Sequence, residues 1–173
     1  VAHHADVLRA RADEDEAGLL DALGELGVHD EPILLDYADL KVPESAPGHQ
    51  RLTDASFDSE VAELAGHIRR QRPDVLVTYD AYGIYGHPDH IRAHRITCAA
   101  ADAAATPTLY RDDLPAWQVR SLYFATIADW MVAELADTLF PLLQPGDFPG
   151  APTHTLGLQL DVSEWIEHKV RAI

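Results

Sequence analysis

Val75-Leu76-Val77-Thr78-Tyr79 follows Pro73 and runs at once into Asp80, a Gly-rich turn from Ala81 to Gly86, and then Pro88. This stretch decides the fold. It is β-branched and free of alternation, the pattern of a strand buried on both faces in a parallel sheet. Proline suits the first position of a helix, so a helix is expected from about Pro88 to Ala104. Upstream, Phe57, Val61, Leu64, Ala65 and Ile68 share one face of a second helix. Ser56 is its candidate N-cap, its last turn is Arg-rich, and Pro73 stops it.

Outward from this centre the pattern continues. Ser121-Leu122-Tyr123-Phe124-Ala125 reads as a strand and Asp129 to Phe140 as a helix. Residues 141–152 hold six Pro or Gly and are expected to form a loop. Thr155 to Val162 alternates apolar and polar residues, as an edge strand does, and Ser163 opens a last helix. Toward the N-terminus, Leu19, Leu20, Leu23 and Leu26 lie at helical spacing, with Gly27 placed as a C-cap. Ile33 to Tyr37 reads as a short strand, and Ala38 to Asp54 as a long loop. Strands that alternate with helices define an α/β layered fold with a mainly parallel sheet. The length of 173 residues fits one domain, 1–173.

Composition narrows the partners. Thirteen Lys and Arg against 29 Asp and Glu give a formal charge of −16. That balance argues against nucleic acid and against an anionic membrane surface, where binding rests on Lys and Arg meeting phosphates. No apolar run approaches the roughly 18 residues of a membrane span. The single cysteine, Cys98, excludes a disulfide framework; it fits a reducing cytoplasm and a place in the apolar core of its helix. Asp13 to Glu16 reads as a solvated helix face.

Open parallel α/β sheets bind ligands outside the carboxyl ends of their strands. The segment that leaves the central strand is Tyr79-Asp80-Ala81-Tyr82-Gly83-Ile84-Tyr85-Gly86-His87-Pro88-Asp89-His90. His90, in the first helical turn, can point toward the strand ends and offer a nitrogen to a metal. His87 lies just before the helix, a position suited to proton transfer or to polarising a carbonyl oxygen. Asp89 can orient either imidazole, or simply place a favourable charge at the helix start. Tyr85 can donate its hydroxyl to a developing oxyanion. Asp80 and His94 complete the set as substrate-binding candidates. The blander alternative is a structural His-x-x-His, with Tyr79, Tyr82 and Tyr85 lining a packed loop.

Arg72 to Asp80, followed by Gly83 to Arg95, resembles the second signature of the LmbE-like, or PIG-L, deacetylases. That resemblance implies a Rossmann-like domain, Zn²⁺ (or another divalent metal) as cofactor, and removal of the N-acetyl group from an N-acetylglucosaminyl conjugate in the cytoplasm. Carried over by position, His90 matches the metal-binding histidine, and His87 the histidine that stabilises the oxyanion or protonates the leaving amine. Tyr85 matches the tyrosine that polarises the acetyl carbonyl, and Asp89 the acid beside them. The family's first signature, Ala-His-Pro-Asp-Asp-Glu after an N-terminal strand, has no counterpart in the sequence. The expectation is therefore a fold lacking its first strand and the elements after it. Such a fragment binds metal poorly and is inactive by itself. Two rival readings remain open: an amidase acting on mycothiol S-conjugates or other amides, and a degenerate sugar-binding paralogue.

Overall fold

In the computed structural model, residues 17–132, 134 and 150–172 are described. They fall into two units, one within Thr53–Gly157 and the other within Val1–Leu52 and Leu158–Ile173.

The Thr53–Gly157 unit is built on a βαβ segment. Helix α1 (Phe57–Gln71) precedes strand β1 (Val75–Tyr79), helix α2 (Pro88–Ala105) and strand β2 (Ser121–Ala125). The strands run parallel, from Val75 opposite Ser121 to Tyr79 opposite Ala125. A parallel pair needs a long crossover, and α2 lies within it. Ser56 caps α1, its hydroxyl accepting from the Ser59 amide at 3.4 Å. Arg72 ends the helix in the left-handed region (φ 53°), and its N–H bonds Ile68 O. The two helices pack against each other, burying Val61, Ala65 and Ile68 of α1 and Ile96, Ala100, Ala103 and Ala104 of α2. The alanines of α2 allow the close approach that larger side chains would prevent.

Strand β1 departs from the pattern expected of its sequence. β1 is not buried on both faces: Val75 and Val77 are 48% and 68% exposed, while Leu76 and Thr78 are half-buried. The strand's period of two sends alternate residues to opposite faces, and α2 packs against this strand.

Buried polar groups pin the helices together. Arg69, 2% exposed at its side chain, donates to five main-chain carbonyls, those of Ala103, Ala104, Thr106, Leu109 and Tyr110, and pairs with Asp112 at 3.2 Å. Glu60 of α1 meets Arg92 of α2 at 2.6 Å, and Arg92 also donates to Ala55 O. The second Glu60 oxygen, Oε1, is buried with no hydrogen bond among the described residues. Burial pushes the Glu60 carboxyl above the ordinary range despite the pull of Arg92. A group whose folded pKa is raised holds its proton longer in the native state, so it favours folding at low pH. Stability relative to Glu60→Gln is therefore expected to fall as pH rises above about 4.5, the ordinary value, and to level off once native Glu60 has ionised. Urea unfolding of both proteins across pH 4 to 8 measures this, and parallel curves would refute it.

In the other unit, residues 17–25 are helical, and Gly27 (φ 74°) closes the helix as read from the sequence. The Val28 amide bonds Leu23 O and the Gly27 amide bonds Gly24 O, the paired bonds of a Schellman motif. Ile33 to Tyr37 is not a strand. Ile33 and Leu34 are exposed, and Asp36 takes a left-handed φ of 55° that breaks the extended run. The loop that follows is tied off by a bridge between Ala38 and Arg51. Thr155 to Val162 is likewise not an edge strand: no ladder forms there among the described residues, and Leu158, Leu160 and Val162 are exposed. The last helix, α3 (Ile166–Arg171), follows a 3-10 turn at Ser163–Trp165. The expected helix from Asp129 is present at residues 129–132 and 134; its remainder and the loop at 141–149 lie outside the described residues. Among the described residues no helix is long and apolar enough to cross a membrane.

Candidate active site

The carboxyl ends of β1 and β2 lie side by side, and the turn at 80–87 carries the chain from β1 into α2. Asp80 organises this turn. Its carboxylate Oδ1 accepts from the amides of Tyr82 (3.0 Å) and Ile84 (2.9 Å), and Oδ2 accepts the Thr126 hydroxyl at 2.5 Å. Its carbonyl accepts from Gly83 N at 2.9 Å. Gly83 is buried with φ 69°, and a Cβ on it would lie 2.9 Å from His90 Cβ and from Ile91 N. Only glycine fits here. Ile84 follows at φ 64°, ψ −62°, a strained conformation for a β-branched residue.

Four aromatic rings meet beyond the turn. His90 stacks on Tyr79 with ring centroids 3.9 Å apart and planes 3° from parallel. The Tyr85 ring stands edge-on to His90 at 5.2 Å and to His87 at 6.0 Å, and the two imidazoles are 4.8 Å apart. His87 and Asp89 are buried, and their ligating atoms lie within 4.8 Å of each other; Tyr85 is 40% exposed.

Hydrogen bonding assigns the two histidines opposite tautomers. His87 is the N-cap of α2, where its Nδ1 accepts the Asp89 amide at 3.3 Å. A neutral His87 therefore carries its proton on Nε2 and offers it as a donor. His90 Nδ1 lies 3.2 Å from the Gly83 carbonyl. A carbonyl only accepts, so the proton is on Nδ1 and, among the described residues, the Nε2 lone pair is left open. A backbone carbonyl that orients a histidine through Nδ1–H while Nε2 faces outward is the usual support of a metal-ligating imidazole. One ring can donate a proton and the other can hold a cation.

His94, one turn further along α2, is half-buried and donates from Nδ1 to Tyr79 O at 2.8 Å. Its ring lies 5.0 Å from Phe124, with Nε2 3.8 Å from Cys98 Sγ. Cys98 is half-buried, and burial first, then Asp102, pushes its thiol above the ordinary range. His67, close to this group in sequence, instead meets Arg70 on α1. Sequence reading placed His87, Asp89, His90 and Tyr85 together but gave no part to Thr126, 46 residues from Asp80. It also noted Gly83 only as one glycine of two. The local signal for Gly83 was its place between a strand's end and a histidine-rich helix start.

A strand–turn–helix site that joins a donor imidazole, a ligand-type imidazole, a carboxylate and a phenol has the equipment of a polar, acid–base active site. The chain belongs to the PIG-L family: the family model described as GlcNAc-PI de-N-acetylase matches residues 2–101. Its relatives include a protein of Nocardioides sp. named 1D-myo-inositol 2-acetamido-2-deoxy-alpha-D-glucopyranoside deacetylase. That protein is 36% identical over an alignment covering 94% of this chain and 62% of its own length. Identically named proteins of Actinosynnema mirum (39% identical, 75% of this chain, 44% of the relative) and Geodermatophilus obscurus (42%, 55% and 32%) are also similar. The chain thus spans roughly one third to under two thirds of the length of these relatives.

Proposed function

We propose that this chain is part of a Zn²⁺-dependent N-deacetylase that hydrolyses the N-acetyl amide of an N-acetylglucosaminyl conjugate. We further propose that it belongs to a single Rossmann-like α/β domain working in the cytoplasm. The observation that carries the reading is the pair of opposite tautomers on His87 and His90. Membership of a de-N-acetylase family and the names of the relatives support it.

This strand and turn supply one ligand for a divalent cation: His90 would hold it through Nε2, with the remaining ligands drawn from elsewhere, since a catalytic zinc takes about three protein ligands. When bound, such a cation supplies Lewis-acid polarisation of a carbonyl and a nucleophile at neutral pH. The chain's own residues do the rest. His87 presents Nε2–H to the acetyl oxygen as it gains charge, or to the amine as it leaves. Tyr85, beside both imidazoles, donates its hydroxyl to the same oxygen. Asp89, close to His87 in the first helical turn, is placed to orient that ring. Asp80 and His94 border the group through the turn and the Tyr79 carbonyl.

Amine release from N-acetylglucosaminyl conjugates by the whole enzyme of which this chain is part, paired with zinc titration of the same protein, tests the reading. His87→Ala is expected to lower kcat by about 10² to 10⁴ while zinc affinity is kept. His90→Ala is expected to lose the zinc itself. The reverse pattern would overturn the assignment of the two rings.

A further inference from the structure

We propose that Asp80 is a positioning residue, whose carboxylate fixes the turn and, across the Gly83–Ile84 peptide, sets the tautomer of His90. The proposal rests on the deacetylase reading only for what the site acts upon.

One peptide plane links Asp80 to His90. The amide N–H of Ile84 and the carbonyl of Gly83 belong to the same planar unit and point in opposite directions. On one side, Ile84 N–H is held by Asp80 Oδ1 at 2.9 Å. On the other, Gly83 O receives His90 Nδ1–H at 3.2 Å. Rotating that plane would break both bonds together. The plane is not at rest by itself, because Ile84 is held at φ 64°, ψ −62°, a sparsely populated conformation for a β-branched residue. It persists where surrounding bonds determine it. The Asp80 carboxylate supplies them, with Tyr82 N–H as a second bond on Oδ1.

Thr126 fixes the carboxylate in turn. Its hydroxyl bonds Oδ2 at 2.5 Å, a short charge-assisted contact that leaves Oδ1 facing the turn. Thr126 directly follows β2 as Asp80 follows β1, so the parallel register brings them together. Three of about four acceptor positions on the carboxylate are thereby taken. This favours a positioning role over direct substrate binding, the role that position suggested in the sequence.

The test uses the metal-free protein with ¹⁵N-labelled histidine, at a pH where the rings are neutral. Wild type is expected to show His90 protonated on Nδ1. Asp80→Ala is expected to shift it toward the Nε2–H form that free neutral histidine prefers. Asp80→Asn, whose amide oxygen can accept from the same two amides, is expected to keep the Nδ1–H form. Thr126→Val, which removes only the bond fixing the carboxylate, is expected to mix the two forms. It also decides the matter if Asp80→Ala does not fold. Zinc affinity is expected to fall by about 10- to 100-fold in Asp80→Ala and to recover in Asp80→Asn. His90 remaining wholly Nδ1–H in Thr126→Val and in every Asp80 variant that folds would overturn the proposal. So would a KM increase common to Asp80→Ala and Asp80→Asn with zinc affinity unchanged, which would make Asp80 a substrate contact. Absence of deacetylase activity in the whole wild-type enzyme would sink the reaction reading and leave the tautomer result standing.

Discussion

Gly83→Ala is expected to lower kcat/KM by about 100-fold or more, because a displacement near 1 Å at a reacting group has that effect. Two costs coincide at this position. At φ 69° an added Cβ meets the backbone, a penalty of about 1–2 kcal/mol. The same Cβ would lie 2.9 Å from His90 Cβ and from Ile91 N, neither of which is the free end of a flexible side chain. The helix start must therefore move, taking His90 with it and away from the carbonyl that sets its tautomer. Gly86→Ala is the informative control. Its φ of 83° carries the same backbone penalty, but its Cβ would lie 3.3 Å from the Tyr82 ring, a side chain that can turn aside. Amine-release kinetics of the whole enzyme and thermal melts should then separate the two variants: a somewhat larger loss of stability, and a much larger loss of activity, for Gly83→Ala. Equal activities would show that close packing of Gly83 on His90 is not what the site requires.

Arg69→Met should be the most destabilising single change in the helical pair, by about 2–4 kcal/mol, because several buried carbonyls lose a charged donor and each such bond is worth about 1.5–3 kcal/mol without being additive. The guanidinium satisfies the last carbonyls of α2 at Ala103 and Ala104 together with those of Thr106, Leu109 and Tyr110. Ala103 O and Ala104 O each accept one backbone amide as well, from Thr106 and Trp117, so the guanidinium supplies their second bond and ties the helix end to the segment that follows. Met fills similar volume and donates nothing, so it isolates the lost hydrogen bonds from lost packing. Arg69→Lys should recover little, because an ammonium on a single stem cannot spread its three donors over five acceptors. Asp112→Asn should change stability by less than about 1 kcal/mol, since that partner is 31% exposed. Urea unfolding of the three variants checks the order. An Arg69→Met protein as stable as wild type would refute the clamp.

The elements that were legible in the sequence are those whose signals are local and mutually consistent. Ser56, the apolar face from Phe57 to Ile68 and Pro73 define α1; Pro88 starts α2 one residue after its cap; Ser121 to Ala125 is a strand with the limits read from its pattern. The misreadings at Ile33 to Tyr37 and Thr155 to Val162 have a common cause. Apolar runs and alternation describe side chains, whereas a strand also needs a neighbour for its backbone, and neither segment has a ladder among the described residues. For the candidate site, the residue types were legible and their supports were not. The bond from Thr126 to Asp80 and those from Arg69 to the end of α2 join positions 34 to 46 residues apart. No spacing rule reaches that far. Likewise the carbonyl that receives His90 is a backbone atom, and sequence carries no mark for it.

The cap of α2 ties two demands to one side chain. Asp, Asn, Ser and Thr are the residues that best begin a helix, yet His87 occupies that place and accepts the Asp89 amide itself. Better helix starters lack an imidazole, so any exchange that tightened the first turn would discard the proton donor proposed for the reaction. Stability at this turn and chemistry at this ring cannot be improved independently, and selection for a sturdier protein must find its gains elsewhere.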